Sequence, residues 1–450
     1  MRRLAALAFL LTVLAACPAA AENPMPAVRG NLWTEAAADA AQYADPVAAK
    51  LVTFYRLLDP GAAGPAEIAS FMAANPDWPF QALLRERLEL ALETTADDGV
   101  VRQFCEQYPP RAALALLRCA QAELAGGDDT RAYAEARKAW IDGDFSAAKE
   151  QAVLARWGDH FAPGTEWQRF ANLVAIDLAG AQRQLARLEP REQAAGKAWL
   201  ALARGKNGAW ESYASLPAAA RREPGLFLAA MRWLEQQGYR ERAVRFWQKE
   251  GDPIEAAAPE AERPAFWNER DILARDLLQV DQPKPAYALV AAPPAITRRD
   301  ALSQQFLAGF IALRWLHAPS EAIPHFQALA DASPAVITQG RAHYWLGRAE
   351  EAAGDRAAAG RQYRAAAKWL TSYYGQLAVL ALGASSAELD QKIRALRDPS
   401  WTPGQALRFA SREVTRAAAF LVAWGAPRRA RAFILRLVEL APDPAMRALA

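Results

Sequence analysis

Between residues 338 and 380, apolar residues recur every three or four positions on both sides of a Gly354-Asp355 pair. The apolar positions are Ala342, Trp345, Leu346 and Ala349 before the pair, and Ala359, Tyr363 and Ala366 after it. This spacing places each set on one face of an amphipathic helix, and the glycine between them favours a turn. The stretch therefore predicts a helical hairpin whose apolar faces pack against each other.

The small and aromatic residues of this hairpin follow the order of a tetratricopeptide-type repeat, at Gly347, Gly354, Ala359, Tyr363 and Ala366. Thr371 stands where such a repeat usually has its closing proline. The second-helix pattern recurs with a closing proline at Ala322, Phe326, Leu329 and Pro334, and at Ala430, Ile434, Leu437 and Pro442. Because one such hairpin cannot bury its own apolar faces, the recurrence predicts an α-solenoid of stacked hairpins. Generic alanine-rich amphipathic helices are the alternative.

Composition favours an all-α chain. Alanine and charged residues dominate, alternation of Val, Ile and Thr is nearly absent, and Pro or Gly interrupts the sequence at short intervals. A chain of 450 residues can form one long solenoid or a few globular domains. We expect one α-superhelical domain over residues 22–450. A hinge is expected near residues 252–264, where Pro, Glu and Ala are enriched.

The first 21 residues have a basic start, an apolar run from Leu4 to Leu14 and small residues before Glu22. These features are typical of a secretory signal peptide, which predicts cleavage after Ala21. The sequence before Cys17 also matches a bacterial lipobox, in which Cys17 would be lipidated. Pro18, directly after that cysteine, favours ordinary cleavage, and an outer-membrane lipoprotein is the alternative. Both routes predict that the protein is exported.

The charge balance removes two classes of partner. Loss of Arg2 and Arg3 with the signal lowers the 53 basic residues to 51, against 50 acidic ones. A nearly neutral chain offers no electrostatic reason to expect binding to nucleic acid or to an anionic membrane. No later stretch is apolar enough to predict a transmembrane segment.

Cys105 and Cys119 are the cysteines outside the signal. An oxidising compartment would permit them to pair. If Pro109-Pro110 forms the corner of a hairpin, however, Cys105 faces a position near residue 114, and Cys119 lies more than a turn too far. We therefore expect two separately buried cysteines rather than a disulfide.

Four motifs are spread along the chain. They are FMAANPDWP at residues 71–79, Ala139-Trp140 with Gly143-Asp144-Phe145, RAHYWLGRA at residues 341–349, and YYGQLA at residues 373–378. Together they resemble the N-terminal region of the soluble lytic murein transglycosylases. The resemblance covers almost all of the chain after the signal, and it implies a periplasmic, U-shaped superhelical domain of stacked helices.

The same resemblance implies a reaction in murein. In that family a lysozyme-like domain follows the superhelix, and its single glutamate protonates the glycosidic oxygen between N-acetylmuramic acid and N-acetylglucosamine. The muramoyl 6-hydroxyl then closes a 1,6-anhydro ring. The glutamate belongs to a Glu-Ser pair near Gly-Leu-Met-Gln and Ala-Tyr-Asn segments, a set that this sequence lacks. We expect a noncatalytic chain without its catalytic domain and without a cofactor.

Two other sources of chemistry are weak. Glu211-Ser212 is followed by Tyr213, but it lies in the repeat region without the companion segments, so we expect Glu211 to be a solvated carboxylate at a helix start. The four histidines, His160, His317, His325 and His343, form no spaced ligand set with cysteines or carboxylates, so no metal site is expected.

A candidate binding surface combines Arg341 with the aromatic residues Tyr344, Trp345, Tyr373 and Tyr374. Saccharide rings dock on aromatic faces, which favours a glycan-binding role. Aromatic residues of solenoids also pack between hairpins. The alternative for this cluster is therefore packing in the core or between domains.

Two hypotheses of function follow. In the first, the chain is the superhelical, noncatalytic part of a lytic transglycosylase, with peptidoglycan or a catalytic domain as its partner. In the second, it is an independent periplasmic repeat scaffold that binds envelope proteins along its concave face.

Overall fold

The computed structural model of the chain describes residues 21–294 and 296–450. In these residues the regular secondary structure is entirely helical, which confirms the predicted all-α class. The predicted signal peptide and the lipidation candidate Cys17 fall on residues 1–20, outside the described ranges.

The α-helices are short and follow one another closely. In chain order they are α1 Met25–Arg29, α2 Trp33–Ala40, α3 Val47–Leu58, α4 Pro65–Ala74, α5 Gln81–Glu93, α6 Asp98–Gln107, α7 Ala113–Ala125, α8 Asp129–Asp142, α9 Ala147–Trp157, α10 Thr165–Ile176, α11 Leu178–Gln184, α12 Pro190–Ala203, α13 Ala209–Ala214, α14 Ala218–Arg221, α15 Pro224–Gln236, α16 Arg240–Phe246, α17 Asp252–Ala257, α18 Arg263–Gln279, α19 Pro283–Val290, α20 Arg298–Arg314, α21 Pro319–Ala332, α22 Val336–Ala352, α23 Arg356–Ala367, α24 Tyr373–Ala381, α25 Ser386–Arg394, α26 Pro403–Ser411, α27 Glu413–Ala423, α28 Pro427–Glu439 and α29 Pro444–Leu449.

The predicted hairpin about Gly354 is formed by α22 and α23. Gly354 has a φ of +89°, a conformation that glycine adopts at little cost, and the Asp355 side chain accepts a hydrogen bond from the Ala358 N–H at 2.8 Å. At Gly347 a Cβ would lie only 2.6 Å from the ring of Tyr363. Because Gly347 has no side chain, the Tyr363 ring packs directly on the α22 backbone. This contact explains why the repeat pattern has a small residue on the first helix and an aromatic residue on the second.

The same arrangement occurs one hairpin earlier. There α20 packs on α21, and a Cβ at Gly309 would lie 2.9 Å from the ring of Phe326. Recurrence of a small residue under an aromatic ring in successive hairpins confirms the stacked-hairpin solenoid at this part of the chain.

The chain divides into two compact units. The first unit contains residues 21–165 and 397–450, and the second unit contains residues 166–396. The hinge predicted near residues 252–264 falls within the second unit, where Asp252–Ala257 is helical and Glu260–Glu262 forms a 3₁₀ turn. The single domain over residues 22–450 and this hinge stay predictions.

Helices from both ends of the described chain share one core in the first unit. The Phe433 ring of α28 packs against Phe54 and Trp78, with ring centroids 5.6 and 5.5 Å away. Beside this core, the Lys50 ammonium group lies 2.7 Å from the Glu413 carboxylate. Apolar burial and ion pairing thus join residues that are more than 350 positions apart in the sequence.

The cysteine prediction was wrong. Cys105 of α6 and Cys119 of α7 form a disulfide with a Cα–Cα distance of 6.1 Å. The prediction assumes a tight corner at Pro109-Pro110, but residues 108–112 are not helical: the ψ angle of Tyr108 is 76°, and Ala112 is extended, with a ψ angle of 134°. Extended residues advance about 3.3 Å each, so they carry the chain past the end of α6 before α7 begins. Cys119 therefore lies beside Cys105.

Candidate binding sites

The predicted aromatic surface lies on α22 and α24 of the second unit. Trp345 packs between hairpins, since its ring is edge-on to Phe310 at 4.8 Å and stacked on Phe326 at 6.2 Å. Tyr344 is buried, and its ring lies 6.0 Å from Tyr363. Neighbouring helices therefore cover the Tyr344 ring and part of the Trp345 ring.

The remaining members of the cluster are more accessible. Tyr374 connects the two helices, with its ring 5.7 Å from Tyr344 and 5.2 Å from Tyr373. Tyr373 is 69% exposed. Of the four predicted rings, it offers the most free surface to a sugar. A glycan-binding role for the cluster stays a prediction.

Arg341 is held against a ring rather than by an acid. Its guanidinium carbon lies 4.4 Å from the centroid of Phe306, an arrangement that favours a cation–π interaction. Its buried Nε has no hydrogen-bond partner in the described part of the chain, and burial lowers the pKa of this guanidinium. The structure thus brings Arg341, Tyr344, Trp345 and Tyr374 into one packed cluster, with Tyr373 at its edge.

The residues considered for catalysis or metal binding lie apart. Glu211 is exposed on α13, so nothing desolvates its carboxylate as a general acid requires. His325 contacts the Tyr287 hydroxyl at 3.0 Å and the side-chain oxygen Oε1 of Gln305 at 2.7 Å, and His343 contacts Oε1 of Gln362 at 2.8 Å. Within residues 21–294 and 296–450, no three His, Cys, Asp or Glu side chains come together as a metal site would need.

Sequence reasoning missed a cavity of about 480 Å³ in the second unit. It is named here the tryptophan cavity, and its polar and aromatic lining residues are Asn172, Trp199, Glu223, Arg232, Trp233, Gln236 and Glu262. These residues come from α10, from α12, from α15 and the capping residue before it, and from the turn before α18. No spacing motif relates them, because only the stacking of separate hairpins places them together.

A second missed feature is a pair of buried carboxyl groups, Glu235 of α15 and Glu269 of α18. Glu269 is fully buried, and its carboxyl group lies close enough to that of Glu235 for their charges to repel each other. Burial raises the pKa of Glu235, and the neighbouring Glu269 carboxylate raises it further. Burial also raises the pKa of Glu269, an effect that Arg232 opposes from 3.7 Å. Protonation of one of the two carboxyl groups relieves this repulsion.

This pair makes stability depend on pH. The folded state holds a proton on this pair more tightly than the unfolded state, whose glutamates have pKa values near 4.5. Between pH 5 and pH 8 the unfolded state therefore binds fewer protons, and stability falls as pH rises. Across this range we expect the free energy of unfolding of the wild type to fall by an amount on the order of 2 kcal/mol. Glu269→Gln should remove this decrease. Urea unfolding at several pH values measures the slope.

The exposed Glu241, whose side chain is 77% accessible, supplies the control. Glu241→Gln should leave the pH dependence of unfolding as it is in the wild type. Equal slopes for Glu269→Gln and the wild type would contradict the assignment to this pair.

A membrane-spanning helix is not found among the described residues, since none of their helices is both long and apolar enough.

Known proteins resemble this chain in structure rather than in sequence. No family model matches the sequence, and no curated protein matches it. Among solved structures, the lytic transglycosylase Slt from Pseudomonas aeruginosa, in an inactive mutant, superposes with a TM-score of 0.62 and 19% identity over 95% of this chain. The 70 kDa soluble lytic transglycosylase from Escherichia coli superposes with a TM-score of 0.56 and 14% identity, also over 95%.

The chain has a fold found in soluble lytic transglycosylases. The resemblance that the sequence motifs indicate is thus confirmed at the level of the fold. The chain spans 67% and 66% of the lengths of these two proteins, about two thirds of each.

Proposed function

We propose that this chain is the superhelical, noncatalytic part of a periplasmic lytic murein transglycosylase, which shapes the access of murein strands to a cleaving domain. The observation that carries the proposal is the superposition on the Pseudomonas aeruginosa enzyme over 95% of this chain. The motifs at residues 71–79, 341–349 and 373–378 resemble that family independently of the superposition.

Two further observations support parts of this proposal. The Cys105–Cys119 disulfide suits the oxidising periplasm, in agreement with the signal-like first 21 residues. The exposed position of Glu211, and the lack of the Gly-Leu-Met-Gln and Ala-Tyr-Asn segments in the sequence, support a noncatalytic role.

Isolated sacculi test the proposal. The purified chain without its first 21 residues should co-sediment with sacculi and release no 1,6-anhydromuropeptides, as measured by mass spectrometry of the supernatant. Released products that disappear in Glu211→Gln would show that the chain cleaves murein through Glu211. Failure to co-sediment, together with cross-linking to an envelope protein in cells, would replace the proposal with the independent scaffold.

The coding DNA beyond codon 450 provides a second test. An in-frame continuation with Glu-Ser and Gly-Leu-Met-Gln segments is the expected result. A stop codon followed by an unrelated gene would favour the independent scaffold.

A further inference from the structure

The tryptophan cavity has the size and walls of a site for a small ligand. Its volume of about 480 Å³ lies in the range of ligand pockets, about 300–1,000 Å³, and far above the space that one water needs. Apolar side chains of three helices form much of its surface: Val174 from α10, Leu202 from α12, and Leu228 from α15.

Two indole rings form rigid parts of the wall. Trp199 is 6% exposed, and its ring lies 5.9 Å from the rings of both Trp167 and Phe170. A Cβ at Gly225 would lie 2.5 Å from the Trp199 ring, so this ring occupies space that only glycine leaves open. Trp233 is 7% exposed, and its ring stacks on that of Trp210 at 6.4 Å. Neither ring can turn away without disturbing the core.

The charged groups of the cavity are unbalanced. Burial of the Glu223 carboxyl group raises its pKa to about 7. The charge of the nearby Glu262 contributes to this increase. Glu223 already accepts a hydrogen bond from the Leu226 N–H at 2.5 Å. The buried Oε2 of Glu262 has no hydrogen-bond partner in the described part of the chain, and burial raises its pKa.

No basic side chain of the cavity wall neutralises these acids. Arg232 is the one arginine among the lining residues, which include no lysine, and its Nε lies 3.7 Å from Glu269, outside the cavity wall. Two carboxylates and two indoles therefore line a space in which Arg232, beside Glu269, is the one basic side chain of the wall. A buried acid without a partner costs free energy, which a bound cation would recover.

We propose that the tryptophan cavity binds the ammonium group of a short aliphatic amine, held between Glu223 and Glu262 with its methylene chain against Trp199 and Trp233. Carboxylates supply the charge-assisted hydrogen bonds that an ammonium group requires, and indoles attract both the cation and its apolar stem. If the proposed function is right, the amine is the free side-chain amine of a diamino acid in a murein stem peptide. A free diamine is the other source of the same chemistry.

Calorimetric titration at pH 8, above the pKa of Glu223, tests the site. The probes are 1,5-diaminopentane, a muropeptide whose diamino acid carries a free side-chain amine, and the same muropeptide N-acetylated at that amine. We expect saturable binding of the first two probes and none of the acetylated one. Glu262→Gln and Glu223→Gln should each weaken binding at least tenfold, because each keeps the side-chain shape but removes a charge.

Glu211→Gln is the matched control, since Glu211 is an exposed carboxylate of the same unit, and it should bind like the wild type. Circular dichroism melting curves confirm that the Gln variants are folded. Diamine binding that Glu262→Gln weakens supports the site even if sacculi fail to bind the chain, so the two proposals fail separately. No binding of either amine, equal binding of the acetylated muropeptide, or unchanged affinity in both cavity variants would overturn the inference.

Discussion

Arg270→Met is expected to lower the free energy of unfolding of the second unit by about 3–5 kcal/mol. The Arg270 side chain is buried, and its Nε donates to the Glu255 carboxylate at 2.7 Å while its Nη1 donates to the Leu289 carbonyl oxygen at 2.5 Å. Glu255 is also fully buried, and its removal from water raises its pKa. Loss of the arginine leaves this acid without a counter-charge. Urea unfolding followed by circular dichroism measures the change.

Arg275 on the same helix supplies a matched control. Its ion pair with Asp271 is at the surface, and its side chain is 59% exposed, so Arg275→Met should change stability by less than about 1 kcal/mol. The double variant Arg270→Met with Glu255→Leu should recover part of the loss, because it removes the buried charge as well. A single Arg270→Met variant as stable as Arg275→Met would show that the pair contributes little.

Removal of the Cys105–Cys119 disulfide is expected to lower the stability of the first unit by about 3 kcal/mol. The two cysteines are separated by 14 positions, and the bond restricts the unfolded chain over that loop. Replacement of both by alanine avoids burying new hydroxyl groups at sites that are fully buried. Thermal and urea unfolding of the double variant, against the oxidised wild type, measure the loss.

Reduced wild-type protein is the control for this prediction. It lacks the bond but keeps both sulfur atoms, so a similar loss in the reduced protein and in the alanine variant would assign the effect to the bond. Equal stability of the oxidised protein and both other forms would contradict the prediction.

The local sequence pattern was sufficient to predict the hairpins, because the residues that determine them are close in sequence. Gly347, Gly354 and Tyr363 lie within 17 positions of one another, and helical periodicity places Gly347 under the Tyr363 ring once the turn at Gly354 is formed. The motifs at residues 341–349 and 373–378 also indicated the correct fold resemblance, which the superposition confirms.

The predicted aromatic surface shows what the local sequence pattern can and cannot predict. It correctly singled out residues that lie together, since the Tyr344 ring contacts both Trp345 and Tyr374. The local pattern could not predict that Trp345 is partly covered while Tyr373 is exposed. The rings of Phe310 and Phe326, which pack on Trp345, belong to other helices. The disulfide was missed for a related reason, since the path of residues 108–112 decides which turns of α6 and α7 meet.

The sequence by itself determined the helical class, the repeat hairpins and the resemblance to lytic transglycosylases, because these depend on periodicity and on motifs within a few turns. Only the tertiary structure decided that Phe54 and Phe433 share a core, that the carboxyl groups of Glu235 and Glu269 are buried neighbours, and that Trp199, Glu223 and Glu262 line one cavity. Those contacts join residues from separate hairpins, and the angles at which hairpins stack depend on packing summed over many side chains.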